Sequence, residues 1–336
     1  MLPKILLPTA LILLIGSAPL AEEVLSTSVR ESYKRPLTIP FGGKTAYSPQ
    51  LATLGKMLYF DPRLSGAQNM SCASCHNPSF GWEVPVAGAV GAQNTVLGRQ
   101  APTVLNAAWM EHLFWDGRAQ SLEEQAAGPI TAAAEMNGDF DVITKRLSAV
   151  PEYRTWFETL FPGKGISAET ITTAIATYER TIVTAWSPFD RWVEGDENAL
   201  SDSAKRGFAL FVGPAGCANC HSGWNFTDNK FHDIGLFGTD IGRLAIESGN
   251  PMADHAFKTP GLRNVMYRAP FMHDGSLQDM DAVIAHYEGG FVDRPSLAKE
   301  LRPAVLNQAE RADLIAFLNA LTADEADVPN PILPTK

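Results

Sequence analysis

Charge is scarce in this chain. Asp, Glu, Lys and Arg supply 19% of its 336 residues while 45% are hydrophobic, against roughly 25% charged in an ordinary soluble domain, and this balance excludes intrinsic disorder. Basic residues are outnumbered, 27 against 37, leaving a net charge of −10; a polyanion would be repelled, so nucleic acid is not an expected partner. Long apolar runs are missing beyond the N-terminus. The run after Lys4, from Ile5 to Ile15, has eleven residues, too few for the about 20 that span a bilayer, and small residues follow it to Ala21. Residues 1–21 therefore read as an export signal, with an uncleaved interfacial anchor as the weaker reading and Pro19 a poor residue ahead of the cut. The mature protein is expected to be periplasmic and without a membrane span.

Strand alternation is also scarce, and the regular signals are helical. Ser48-Pro49 opens a helix with Leu51, Leu54 and Leu58 on one face. Ser167 caps a segment in which Ile171, Ile175, Tyr178 and Ile182 recur at helical spacing, expected to run to Trp186-Ser187-Pro188. Asn307 with Glu310 forms a capping-box pattern ahead of Leu314, Phe317, Leu318 and Leu321. The fold class is mainly α, and the length suits two domains, 22–184 and 185–336, dividing near 184–187.

Cysteine is limited to four residues, and their arrangement is informative. They fall as Cys72-Ala-Ser-Cys75-His76 and Cys217-Ala-Asn-Cys220-His221. In an exported chain four cysteines suggest two disulfides, and four thiolates also suit zinc. Zinc leaves both histidines unexplained, and chance does not readily repeat a pentapeptide. Two thiols at this spacing add to the vinyl groups of a haem, and the next histidine reaches the iron. Two covalently bound c-type haems are the expected cofactors, one per domain. The motifs also sit in a repeat: Pro102, Asn106, Asp116 and Gly117 recur as Pro260, Asn264, Asp274 and Gly275 at a constant offset of 158. Trp115 thereby takes the place of His273.

These motifs, with Gly98-Arg-Gln-Ala-Pro-Thr103, Phe114-Trp-Asp-Gly-Arg118, Glu124-Gln125, Glu135-Met136 and Met272-His-Asp-Gly-Ser276, make the chain similar to bacterial dihaem cytochrome c peroxidases, and most of all to the MauG-type enzymes. The resemblance runs from about Pro49 to Leu321. It implies two tandem cytochrome c-like domains, a peroxide-reactive haem on His76 and an electron-transferring haem on His221. In many relatives a histidine blocks the first iron; its position falls near Ala92 here, so the resemblance implies an open site, with His112 as a rival that reads better as a surface or core residue. For the second iron it implies Tyr287, where classical peroxidases have methionine. His286 is the rival, but adjacent helical residues point about 100° apart and only one can face the iron. A core aromatic is the plain alternative for Tyr287.

The resemblance also selects Glu135, among Glu123, Glu124 and Glu135, as acid–base residue, Gln125 as the residue that orients peroxide or water, and Pro129 as a wall of the same pocket. On residue type alone each glutamate reads as a solvated charge. Trp115 corresponds to the tryptophan between the haems. Relatives commonly hold Ca2+ between the domains; here Gln100 replaces an asparagine ligand, and Arg268 and Pro270 fall at carbonyl-donor positions. A guanidinium disfavours a cation unless it points away, which leaves Ca2+ open. MauG-type enzymes carry a tryptophan two residues before the second CxxCH, where this chain has Ala215; Trp224 is a substitute for it or a packing residue. The implied function is peroxide-driven oxidation of tryptophan in a partner protein such as a quinoprotein-type precursor. Peroxide detoxification with a small cytochrome or cupredoxin as electron donor is the alternative, and a non-enzymatic dihaem electron carrier is the second.

Overall fold

The computed structural model describes residues 27–42 and 46–335, so the expected export signal lies outside them. The helices are α1 (Thr27–Glu31), α2 (Pro49–Tyr59), α3 (Leu122–Thr131), α4 (Phe140–Ser148), α5 (Pro151–Leu160), α6 (Ala168–Arg180), α7 (Pro188–Val193), α8 (Asp202–Val212), α9 (Met280–Tyr287) and α10 (Gln308–Ala320). Among the described residues the sheet is a single antiparallel pair, β1 (Phe231–His232) with β2 (Phe257–Lys258), Phe231 standing opposite Lys258. The remainder is loop and short 3₁₀ turns.

Helix starts follow the capping chemistry. The Ser48 side chain accepts from the Leu51 N–H, with Pro49 at the first helical position. Ser167 caps α6, and Asn307 and Glu310 cap α10 reciprocally. The expected extension of α6 to Trp186 is corrected: α6 ends at Arg180. The β-branched run from Thr181 to Thr184 leaves the helix because Asn106 captures it, its N–H donating to the Ile182 carbonyl and its Oδ1 accepting from the Thr184 N–H at 3.1 Å. Pro188 then opens α7 under a Ser187 cap instead of ending the longer helix.

Each half buries its own core around one close helix crossing. In the first, α2 crosses α6 at Gly55, where a Cβ would lie 1.9 Å from the Ala174 carbonyl oxygen. In the second, α8 crosses α10 at Gly207, where a Cβ would lie 1.9 Å from the Asp313 carbonyl oxygen. Leu54, Leu58, Ile171 and Ile175 fill the first core, whereas Phe189, Phe208, Phe226 and Phe317 make the second largely aromatic.

The repeat extends to backbone conformation. Asn106 and Asn264 are both fully buried and left-handed, with φ of 59° and 55°. Each Oδ1 accepts one backbone N–H, from Thr184 and Ala323 respectively. Ile182 belongs to the first core and Phe189 to the second, while both termini cross this division. Tyr33 packs edge-on to Phe208 at 5.2 Å within the second core, and Val328 and Leu333 pack on the first.

Candidate active site

Both CxxCH segments form one 3₁₀ turn, Cys72–Ser74 and Cys217–Asn219, held by a bond from the histidine N–H to the first cysteine carbonyl. The four thiols are unpaired with one another. A backbone carbonyl fixes each imidazole through Nδ1: Trp82 O at 3.3 Å for His76 and Phe226 O at 2.9 Å for His221. Nε2 is then the nitrogen left for an iron, with its tautomer set. Burial holds both imidazoles below their ordinary pKa, against the carbonyl bonds that pull the other way, which favours the neutral, ligating form. These residues fit a haem at each motif.

Beside the first motif lies a cavity of about 780 Å³, within the range of cofactor sites. Cys72, Cys75 and His76 line one side. Gln125 and Pro129 from α3, with Glu135 from the turn that follows it, line another. Desolvation raises the Glu135 carboxyl, partly offset by the charge of Arg118. His76 is the one histidine in the lining. Gly91 borders the cavity, and the N–H of the next residue, Ala92, donates to the Glu135 carbonyl at 2.7 Å, which ties the loop to the turn that carries the carboxyl. His112 does not line the cavity; its ring packs on Phe231 at 5.3 Å.

Trp115 lines the same cavity, donates from Nε1 to the Gln100 carbonyl at 2.9 Å, and meets His273 at 6.4 Å between ring centroids. The two residues matched by the repeat therefore face each other from opposite domains. Near the second motif, burial and then the charges of Cys217 and Cys220 raise the Tyr287 hydroxyl. His286 Nε2 is taken up by the Ile234 carbonyl at 2.9 Å. Trp224 is half-buried and packs edge-on to Trp109 at 4.9 Å. Cys220, Asp228 and His232 have donor atoms within 4.8 Å of one another; a haem attached through Cys220 would leave an Asp228–His232 pair at 2.7 Å.

One expectation is corrected, and one question left open is answered. Glu123 is not a solvated charge: Arg180 grips both its oxygens at 3.0 Å. The three positions considered for Ca2+ also fail as a cation site. The Arg268 guanidinium points inward and donates to Glu83 at 3.1 Å and to the Gly261 carbonyl at 2.6 Å. The Gln100 amide donates to Glu83 and to the Pro270 carbonyl, both at 2.9 Å. N–H donors surround the buried carboxylate, a guanidinium is bonded to it, and the Pro270 carbonyl is already engaged, so the groups present do not fit Ca2+. Glu83 was missed in the sequence, since nothing near residue 83 signals a partner 185 positions away. Arg118 stood in a quoted motif, but its charge beside Glu135 appears only in three dimensions.

Fold, twin motifs and cavity define a mainly α, two-domain c-type cytochrome enzyme. Residues 49–198 match the family model described as "Di-haem cytochrome c peroxidase", and residues 204–322 match "Cytochrome c". The chain is 48% identical over 311 residues to the methylamine utilization protein MauG of Methylorubrum extorquens, covering 91% of this chain and 88% of that protein. It is 44% identical over 329 residues to its namesake from Methylophilus methylotrophus, covering 96% and 98%. A solved MauG-like protein associated with microbial copper homeostasis superposes with a TM-score of 0.78 at 29% identity, over 86% of this chain and 93% of that one. The chain belongs to the di-haem cytochrome c peroxidase family and is a haem oxidoreductase that carries haem c. No helix among the described residues is long and apolar enough to cross a membrane.

Proposed function

We propose that this enzyme uses hydrogen peroxide at the His76 cavity and draws the electrons from a partner protein through the His221 domain, oxidising tryptophan in that partner as a MauG-type enzyme. The haem, when bound, supplies an iron that takes peroxide and exchanges electrons. The observation that carries the reading is the convergence of Glu135 and Gln125 on the cavity that His76 lines. Burial keeps the Glu135 carboxyl ready to hold a proton, so it removes one from bound peroxide and returns it to the departing oxygen. Gln125 orients peroxide or water by hydrogen bonding. Trp115, in contact with His273 of the second domain, is the intermediate for electron transfer between the domains. Tyr287 is the proposed second ligand on the His221 side, a role supported by the charges of Cys217 and Cys220 acting on its hydroxyl and by the prior engagement of His286. As a ligand it would have to give up the proton that burial keeps on the hydroxyl, and the resulting anionic oxygen would stabilise the oxidised state of the iron. The similarity to MauG proteins over nearly the whole chain supports the maturation reading and, with Lys4–Ala21, export to the periplasm.

The test mixes holoenzyme, peroxide and a candidate quinoprotein-type precursor, and reads the precursor by mass spectrometry, with oxidation of a reduced small cytochrome followed in parallel. A peroxide-dependent mass change on precursor tryptophans is expected. Fast cytochrome oxidation without that change would assign the enzyme to peroxide detoxification.

A further inference from the structure

The same cavity contains an acid that the mechanism leaves unused. Glu179, next to the last residue of α6, is 5% exposed and lines the cavity together with Cys72 and Cys75. Its Oε2 has no hydrogen-bond partner. An ionised carboxylate in that position would be strongly penalised, so the group holds a proton instead.

The surroundings explain why it stays uncompensated. Arg180, the adjacent cation, is spent on Glu123 of α3 through two bonds. The other titratable groups facing Glu179 are Tyr59 from α2, Tyr178 from its own helix and Cys72 of the attachment turn. Burial keeps both tyrosines protonated, and Cys72 loses its thiol proton on forming the thioether, binding the porphyrin edge rather than the iron. Burial pushes Glu179 up to about 8, with Glu123 adding to the effect and Arg180 opposing it. Of this group, Glu179 is the one that exchanges a proton near neutrality.

We propose that Glu179 is a proton-exchanging acid in the wall of the first haem's cavity, releasing its proton when that haem is oxidised and regaining it on reduction. This rests on haem occupying the His76 cavity. Were the bound haem to give up one of the two electrons that peroxide takes, the other coming from the second haem, the added positive charge would weaken the carboxyl's hold on its proton. The O–H bond breaks, the electron pair stays on the carboxylate oxygen, and the proton leaves past the partly exposed Arg180–Glu123 pair. Reduction by the partner's electron reverses each step. The carboxylate formed partly neutralises the cavity's gain in charge.

The experiment is spectroelectrochemical titration of the His76-side haem in holoenzyme at a series of pH values around about 7–9, for wild type, Glu179→Gln and Glu179→Asp. If the carboxyl's affinity for its proton differs by about one pKa unit between the haem states, the wild-type oxidised-to-reduced ratio at fixed potential rises roughly tenfold across the window. Glu179→Gln should be flat there, and Glu179→Asp should keep the dependence. Redox-difference infrared spectra should contain a protonated-carboxyl band that is lost in Glu179→Gln. The same pH dependence in wild type and Glu179→Gln would overturn the proposal. Absence of haem from the His76 motif, read by pyridine haemochrome and peptide mass, would instead overturn the reading beneath it.

Discussion

At the scale of single residues, Glu135 and Tyr287 carry the proposed chemistry. Glu135→Gln keeps the side-chain shape and removes the proton carrier. It should slow the stopped-flow reaction with peroxide by more than about tenfold, within the 10²–10⁴ range of general acid–base catalysis. Extra electron donor should not rescue it, whereas Glu158→Gln, on an exposed face of α5, should leave the rate unchanged. The pH dependence has a definite sign. Because burial raises the Glu135 carboxyl, the base form is lost as pH falls through that raised value. Wild-type reactivity should therefore decline on the acid side, and Glu135→Gln should lack that limb. For Tyr287, substitution by Phe removes the proposed oxygen ligand and should abolish the low-spin signal of the second haem. An unchanged signal would return His286 or a methionine to consideration.

At the scale of elements, the two glycine crossings are the most exposed to change. Gly55→Ala and Gly207→Ala each drive a Cβ to 1.9 Å from a backbone oxygen, which neither helix relieves without moving. Each should cost at least the about 1–3 kcal/mol of core overpacking and lower the thermal midpoint. Gly238→Ala, with open space around it, should change little. Much at this scale was legible in the sequence: Ser48, Ser167 and Asn307 announced their helices because capping is local chemistry, and the CxxCH turns carry their function in five consecutive residues. What was not legible depends on partners distant in sequence. Thr181–Thr184 reads as a continuation of α6 until Asn106 is known to bind it, and Glu123 reads as a surface charge until Arg180 is known to face it. In the site, the cysteines, both histidines and the tryptophan were marked by pattern, and Glu135 was singled out by resemblance alone. Glu83 and Glu179 carried no mark, since burial is what makes either of them unusual.

At the scale of the whole molecule, the halves are joined by buried polar contacts. Glu83 and Gln100 of the first half meet Arg268 and Pro270 of the second, and Arg99 joins Asp116 to Asp240. The fixed guanidinium of Arg268 leaves no role for a bound cation there, so EDTA and added calcium should each leave the thermal midpoint and both haem spectra unchanged. Arg268→Ala strands Glu83 without its counter-charge and should destabilise by about 3–5 kcal/mol. We propose that the two domains hold their haems differently, with no second histidine in the cavity beside His76 and with Tyr287 as the second ligand on the His221 side. An EPR spectrum of the oxidised resting holoenzyme tests this most directly. One high-spin and one low-spin haem are expected; two low-spin haems would mean that a side chain closes the first iron as well, which would overturn the difference between the two sites.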